Sequence, residues 1–572
     1  MKILDTIVQS EPVTKGLSED EKYRVITADG AVYLLRIFSA KQYERKKVVF
    51  DRMSRLSDLG VPMCRPIEFG ICGESVYSLQ GWIDGKDVEG LLPLLPETRQ
   101  YVLGIESGGI LRKIHTVPSP ENTEPWDKRY DNTIRVRLNV VRECGTRFEG
   151  EELLLDYIEK YKSMIQNRPQ CLLHGDYHIG NMMLDSQNNL FVIDWDNADF
   201  DNIGDPWVDL IRITAAAQKS PHFATGQIYG YFGKHPPEEF WKLFAFYVSV
   251  SSVTAIPWAI RFGQEMMEEI IRLNRDVLAW FDNMKNPVPT WYLPDFYVQY
   301  IDGVPCKLKA PFDFSFLKKY GKVFKIYDDQ DSGNICFGVA NGGKRYFVKF
   351  AGAPTERSGI PAAEAVANLK RTVPVYRDLA HPNLVRLLSA EEVGDGFAVV
   401  FEWTDGECMG KQYPLSRQKF LQMPSKTKLR VFNEILSIHE HVAKQGYVAI
   451  DFYDGSILYD FSARRTVICD IDFYAKMPYI NNTGRMWGSS RFMSPEEFTL
   501  GAVIDEITNV YTMGATAFAL FVSEQDRSFE KWSLGKALYD VAAKAVSENR
   551  NSRQQSIRQL ISEWSKAKEA KP

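Results

Sequence analysis

Between Cys171 and Asp209 an apolar run leads into His174-Gly175-Asp176, and Asn181 follows. After a polar turn over Asp185 to Asn189, a second apolar run, LFVID, delivers Asp194. Two strand-like runs separated by turn residues predict a hairpin. Such a hairpin carries one carboxylate on the loop before it and another at its far end, with an Asn amide between them. Phosphoryl transfer from a metal-bound nucleotide needs such a set. One group orients the acceptor hydroxyl and takes its proton, and two hold the Mg²⁺ that bridges the phosphates.

The pattern HGDxxxxN followed by a strand ending in ID resembles the catalytic core of the aminoglycoside phosphotransferase and choline kinase superfamily. GDPWVDL, Gly204 to Leu210, continues the resemblance. It implies Asp176 as catalytic base, Asn181 and Asp194 as metal ligands, and Asp209 as a brace beneath the catalytic loop. His174, before the tight Gly turn, reads as a packing and hydrogen-bonding residue rather than a proton shuttle.

At 572 residues the chain is too long for one core and predicts two to four domains. A net charge of −5 argues against a general nucleic-acid binder, which needs a basic face. The eight cysteines are scattered, with no CxxC and no metal-ligand spacing, and read as reduced thiols of a cytoplasmic protein. The N-terminus lacks the order of a signal peptide. Leu243 to Ile260 is uncharged and about long enough to span a bilayer. Its Ser249, Ser251, Ser252, Thr254 and Pro257, inside a catalytic domain, favour a buried helix or helix pair over a membrane span.

Upstream of the motif, KYRVITA and AVYLLRIF flank Asp29-Gly30, a hairpin signal. KGLSEDE before them, with Gly16, sits where the superfamily places its nucleotide-covering loop. The resemblance puts Arg36 at the position of the kinase strand lysine, as a cation for the phosphates. Glu44, in the first turn of the helix Lys41 to Leu59, is its candidate partner. Backbone groups near Gln80 to Trp82 would hold the nucleotide base at a hinge. Downstream, Asp199, Asp201, Glu265, Glu268 and Glu269 are acidic candidates for an acceptor pocket, although such charges are more often simply solvated.

A Pro-rich exit at Asn286 to Pro294 marks a domain boundary. Beyond it the chain repeats the plan of the first half. Strands surround the Asn341-Gly342-Gly343 turn, and one ends in VKF with Lys349 inside the cleft. HPNLVRLL, FEWTDGE, GSSRFMSPEEF and NVYTMG resemble a eukaryotic-type Ser/Thr protein kinase domain. The resemblance implies Lys349 and Glu364 as nucleotide-site residues, Asp451 as base, and Arg553 paired with Glu496 as anchor of the activation segment. Several positions depart from that family. Ile450 replaces the Arg that receives an activation-loop phosphate, Tyr453 the usual Lys, and Ser456 the metal-binding Asn. Spacing from Ser456 favours Asp470 as the other metal ligand, whereas the following Phe and the distance to Ser494-Pro495-Glu496 favour Asp472. The two stay open.

The expected fold class is α+β: two tandem bilobal protein kinase-like folds, each with a small β-rich lobe and a larger helical lobe. The expected domains are an aminoglycoside phosphotransferase-like domain over 1–290, a linker over 291–310 and a kinase-like domain over 311–572. The expected activity moves a γ-phosphoryl group from ATP or GTP, with Mg²⁺, to a hydroxyl of a small molecule. The second domain stands either as an active protein kinase with its own protein substrate or as a regulatory, nucleotide-binding pseudokinase.

Overall fold

The computed structural model describes residues 3–14, 20–196, 202–233, 235–293, 296–522 and 527–569. Gly16, Asp199 and Asp201 lie outside the described residues. The chain divides into two compact units, Met1–Asp295 and Phe296–Pro572.

The first unit opens with β1 (Ile7–Pro12), β2 (Glu21–Thr27), β3 (Val32–Ser39), α1 (Tyr43–Asp58), β4 (Pro66–Cys72) and β5 (Ser75–Gly81). The strands form one antiparallel sheet in the order β1-β2-β3-β5-β4. Gly30, at φ +84°, makes the turn between β2 and β3, a conformation a side chain rarely adopts. The rest of the unit is mostly helical and holds its main core, from Met53 and Leu56 of α1 to Trp291.

Two helices in that core, α2 (Glu97–Ile114) and, later in the chain, Pro221–Phe232, approach through matching glycines. A Cβ at Gly104 or Gly108 would meet the backbone oxygens of Phe223 and Gln227 far inside van der Waals contact. One at Gly226 or Gly230 would meet those of Tyr101 and Ile105. Small residues four apart let the backbones touch, so any side chain there overpacks the joint. Gly108→Ala is expected to destabilise the first unit by about 1–3 kcal/mol, read as a lower denaturation midpoint. An unchanged midpoint would refute the close contact.

The catalytic-loop hairpin expected from the sequence is present as β6 (Met182–Asp185) and β7 (Leu190–Val192), with Met182 opposite Val192. The Pro221–Phe232 helix is α3, and α4 follows at Glu238–Ile260. Among the described residues α4 alone is long and apolar enough to cross a membrane, with a mean hydropathy of 1.6 over its most apolar window. Most of that window is buried: Phe240, Leu243, Phe244, Phe246, Tyr247 and Val253 are core residues.

The second unit begins inside the segment read from the sequence as a linker. Residues 291–310 hold a hairpin of β8 (Tyr297–Ile301) and β9 (Val304–Leu308), turned by Asp302 and Gly303, both at positive φ. Cys306 and Leu308 are buried in the second unit's core, so this stretch is structured rather than a spacer. Then come β10 (Lys322–Tyr327), β11 (Asn334–Asn341), β12 (Lys344–Ala351), α5 (Ala362–Asp378), β13 (Leu387–Val393) and β14 (Gly396–Glu402). Their sheet order, β10-β11-β12-β14-β13, repeats the first unit's. Gly342 and Gly343, both at positive φ, turn β11 into β12. The helical part includes α6 (Ser425–Lys444), the hairpin β15 (Ile457–Asp460) and β16 (Arg465–Ile468), and α7 (Glu506–Phe521). All eight cysteines are free.

Candidate active site

In the first unit the loop before β6 is held from below by one carboxylate. Asp209, 2% exposed, accepts the backbone N–H of His174 (2.7 Å) and of Gly175 (2.8 Å), and His115 Nε2 lies 3.2 Å from it. Gly175 is at φ +86°, which lets the chain turn over that carboxylate. Asp205 caps the segment after it, accepting from Trp207 N–H (2.9 Å), and pairs with Arg168 and the Tyr247 hydroxyl.

His174 is fully buried and spends both ring nitrogens on structure. Nδ1 accepts from Asp176 N–H (3.3 Å), and Nε2 donates to Ile193 O (3.2 Å). Its ring packs on Tyr177 and Trp195, and burial lowers its pKa, so it is a neutral brace for the loop.

The Asp176 carboxylate faces Arg212 Nε at 3.1 Å and His178 Nε2 at 3.3 Å. Asn181 Nδ2 donates to its carbonyl (3.0 Å) and its carboxylate (3.2 Å). Burial pushes the Asp176 pKa up, but the hydrogen bond from His178 and the charge of Arg212 outweigh it and hold it down at about 2. The group is therefore an ionised acceptor at any physiological pH.

Asn181 O accepts Ile193 N–H (2.9 Å), which places Asp194 one residue beyond the paired strands. Asp194 adopts φ +62° and turns its carboxylate outward, with no hydrogen bond or ion pair among the described residues. It lines a small, partly open cleft together with Arg36, Phe38, Lys46, Gln80 and Asp196.

Two sequence expectations are corrected here. Glu44 is not the partner of Arg36: it is exposed, and Arg36 Nη2 pairs with Asp20 at 2.7 Å. The residue that α1 turns inward is Lys46, 4% exposed. Its Nζ reaches both Asp20 oxygens (2.9 and 3.0 Å) and Asp196 Oδ2 (2.5 Å). Burial raises the Asp20 pKa, but Lys46 and Arg36 outweigh it and keep the carboxyl below its ordinary value. Gln80, expected to contribute backbone at a hinge, lies within the sheet opposite Leu34 and Pro66. What it offers the cavity is its side chain, bonded to Ser78 Oγ at 3.3 Å. Trp82 stands just past β5 with the Arg24 guanidinium 5.7 Å from its ring centroid. Glu265, Glu268 and Glu269 are exposed on the Gln264–Trp280 helix, and no contact ties them to Asp176.

Residues 10–241 match the model of APH, the phosphotransferase enzyme family. The match runs from β1 into α4, covers the hairpin, Asp176, Asn181, Asp194, Asp209 and the cavity residues, and supports the aminoglycoside phosphotransferase and choline kinase superfamily for the first half. It supports a phosphotransferase chemistry for that half and does not extend into the second unit.

The second unit sets an analogous group together by the same backbone device. Cys469 N–H donates to Ser456 O (2.9 Å), as Ile193 does to Asn181, and the next residue, Asp470, adopts φ +56°. Asp470 therefore stands where Asp194 stands. Asp472 is instead held from α5, accepting the Tyr376 hydroxyl at 2.8 Å. Lys349 Nζ contacts both, Asp470 at 3.1 Å and Asp472 at 2.6 Å. Burial opposes its charge, but the two carboxylates outweigh it and raise its pKa above the ordinary lysine value. Glu364 is exposed in the first turn of α5, so the expectation that it shares the nucleotide site with Lys349 is corrected as well.

Asp451 has an environment opposite to that of Asp176. Among the described residues nothing donates to its carboxylate. Burial, then the negative charges of Asp470, Asp331, Glu497 and Asp472, push its pKa up to about 7. Among the described residues Ser456 Oγ is buried without a hydrogen-bond partner. Asp454, 2% exposed, receives Arg491 as a two-pronged pair (2.8 and 2.9 Å) and also Arg417. The segment carrying Arg491 is thus tied to the loop carrying Asp451 by carboxylate and guanidinium, beside the packing of Met486 and Met493 on Val448 and Ile450. Glu496 pairs with Arg553 as the sequence suggested (2.7 and 3.0 Å).

No spacing rule pointed to Asp20, Lys46, Asp196, His178, Arg212 or Tyr376. The second Asp of IDWD was the one visible hint.

Proposed function

We propose that the first unit is a phosphotransferase that moves the γ-phosphoryl group of ATP or GTP to a hydroxyl of a small molecule. The observation that carries this reading is the charge state and placement of Asp176. It is an ionised carboxylate on a braced loop, with Asn181 and Asp194 brought together by one hairpin beside a cavity lined by cations. Asp176 orients the acceptor hydroxyl and takes its proton, while Arg212 and His178 keep that carboxylate ionised and fixed in direction.

The residues present suit a metal-bound nucleotide. The Asn181 side-chain amide oxygen and the exposed Asp194 carboxylate are hard donors of the kind Mg²⁺ takes. Among the described residues Arg36 Nε is buried without a partner, a donor left over for an anion. Mg²⁺ at Asn181 and Asp194 would offset charge on the phosphates during transfer. Hard oxygen ligands and eight free thiols fit a protein working in the cytoplasm.

For the second unit we propose a kinase-like fold of low or absent transfer activity that serves as a regulatory, nucleotide-binding module. The repeated strand order and the Glu496–Arg553 pair support the fold. The orphaned Ser456 hydroxyl, and an Asp451 that is half protonated near neutral pH, argue against a fast catalyst.

The test is Mg²⁺-dependent transfer from ATP and GTP by the full chain to aminoglycosides, small hydroxyl metabolites and a protein acceptor. Transfer to a small molecule is expected, reduced at least about 100-fold in Asp194→Asn and within about twofold of normal in Asp451→Asn. Transfer only to protein, lost with Asp451, would reverse the assignment.

A further inference from the structure

In a bilobal nucleotide site the helix beside the sheet ordinarily turns a carboxylate toward the strand cation. Here α1 turns an ammonium there. Lys46 and Arg36 share one carboxylate, Asp20, at 2.7 to 3.0 Å, and Asp20 is itself almost fully buried, at 8% side-chain exposure. Lys46 also holds Asp196, which Arg45 contacts from the surface. Arg36, Lys46, Asp194 and Asp196 line the same cavity, and Arg36 Nε is buried with no partner among the described residues. Two buried cations converging on one carboxylate form a seat for an anion, since burying either without a counter-charge is costly. Asp20 is the only group now filling that seat among the described residues.

We propose that Lys46 is a second phosphate-binding cation of the nucleotide site and that Asp20 is a placeholder. Nucleotide phosphates take over Arg36 and Lys46, and the Asp20 carboxylate gives way. Asp196 keeps its hold on Lys46, so the ammonium stays aimed at the cavity while its second partner changes. This rests on the first unit being a nucleotide-dependent phosphotransferase. It assigns to α1 a role in binding charge that falls to the buried Lys46, while Glu44 faces solvent. The exchange involves no bond-making: one anion replaces another at two fixed donors. A role limited to structure would make Asp20 a stabilising partner whose loss harms the site. A placeholder role makes it a competitor whose loss improves binding.

The test is equilibrium binding of a fluorescent ATP analogue and of adenosine, with Mg²⁺, to the full chain, with thermal melts to confirm folding. Lys46→Met is expected to weaken the triphosphate about 10- to 100-fold, as the loss of one charge-assisted contact implies, with adenosine unchanged. Lys46→Arg is expected to restore most of the affinity. Asp20→Asn is expected to tighten the triphosphate severalfold and leave adenosine unchanged, a gain that a purely structural Asp20 would not produce. Triphosphate binding unaltered in Lys46→Met, or weakened in Asp20→Asn, overturns the inference alone. A wild-type chain that binds no nucleotide overturns the functional reading, and the inference with it.

Discussion

Asp176→Asn is expected to lower phosphoryl transfer to the small-molecule acceptor by about 10²- to 10⁴-fold, the usual worth of a positioned general base. The substitution keeps size and planarity, so the Asp209 brace and the hairpin remain, and nucleotide affinity should change little. What is lost is the acceptor for the hydroxyl proton. The measurement is kcat and KM with saturating nucleotide, and a kcat within threefold of normal would remove Asp176 from the chemistry. The pH dependence supplies a second handle. With its pKa at about 2, Asp176 does not titrate in the neutral range, so it should not set an acid limb in the rate profile there. Removing the Arg212 charge raises that pKa toward the ordinary carboxylate value, and Arg212→Ala should move the acid limb upward in pH. The sign for stability follows the same shift. A carboxylate whose pKa is lowered by folding stabilises the fold above the unfolded value, and that contribution is lost as pH falls toward 2.

The parts of this site that were legible in the sequence are those set by short-range geometry. Five residues from Asp176 to Asn181, then a turn and a strand leading to Asp194, are dictated by one loop and one hairpin; the structure ends that strand at Val192 and sets Asp194 just beyond it. Gly-containing turns at Gly30 and Gly342 were readable for the same local reason. The ion pairs were not, because they join distant segments: Lys46 and Asp196 are 150 positions apart. The choice of Glu44 over Lys46 failed on helix geometry. Residues two positions apart on a helix are rotated by about 200°, so when α1 buries Lys46 and Met53 against the cavity, Glu44 faces water. The residue type suggested a salt bridge, and the face decided against it. Glu364 failed likewise, since α5 reaches the site through Tyr376, three turns further along. The Asp470 and Asp472 ambiguity could not be settled by counting residues. Backbone conformation sets the two apart, because only Asp470 shares with Asp194 the positive φ and the preceding N–H bond. The linker reading of 291–310 missed a hairpin whose turn, Asp302-Gly303, is itself a recognisable signal.

The second large effect lies in the other unit. Glu496→Ala is expected to destabilise it by about 3–5 kcal/mol, the cost of removing one partner from a buried ion pair. Arg553 is fully buried along its side chain and has two of its nitrogens on the two oxygens of Glu496. Its remaining strong contact is Nε to Ser547 O at 2.7 Å, which supplies a hydrogen bond but no counter-charge. Arg550, 3.0 Å from the same carboxylate, would lose a partner as well but is partly exposed and can turn toward water. Glu496→Ala therefore strands a cation in the core, whereas Arg553→Met leaves Glu496 with Arg550 and should cost less. That order is the discriminating result. The reading is chemical denaturation of the full chain, in which the midpoint of the second unit's transition shifts while the first unit's stays in place. Burial pushes the Glu496 pKa up, but the hydrogen bond and charge of Arg553 win and lower it, so this stabilisation is present above the ordinary glutamate range and fades as pH falls below it. The penalty of Glu496→Ala should accordingly shrink in acid, where the wild-type carboxylate is itself protonated. A penalty below about 1 kcal/mol, as for an exposed pair, would show that this anchor is not part of the folded core.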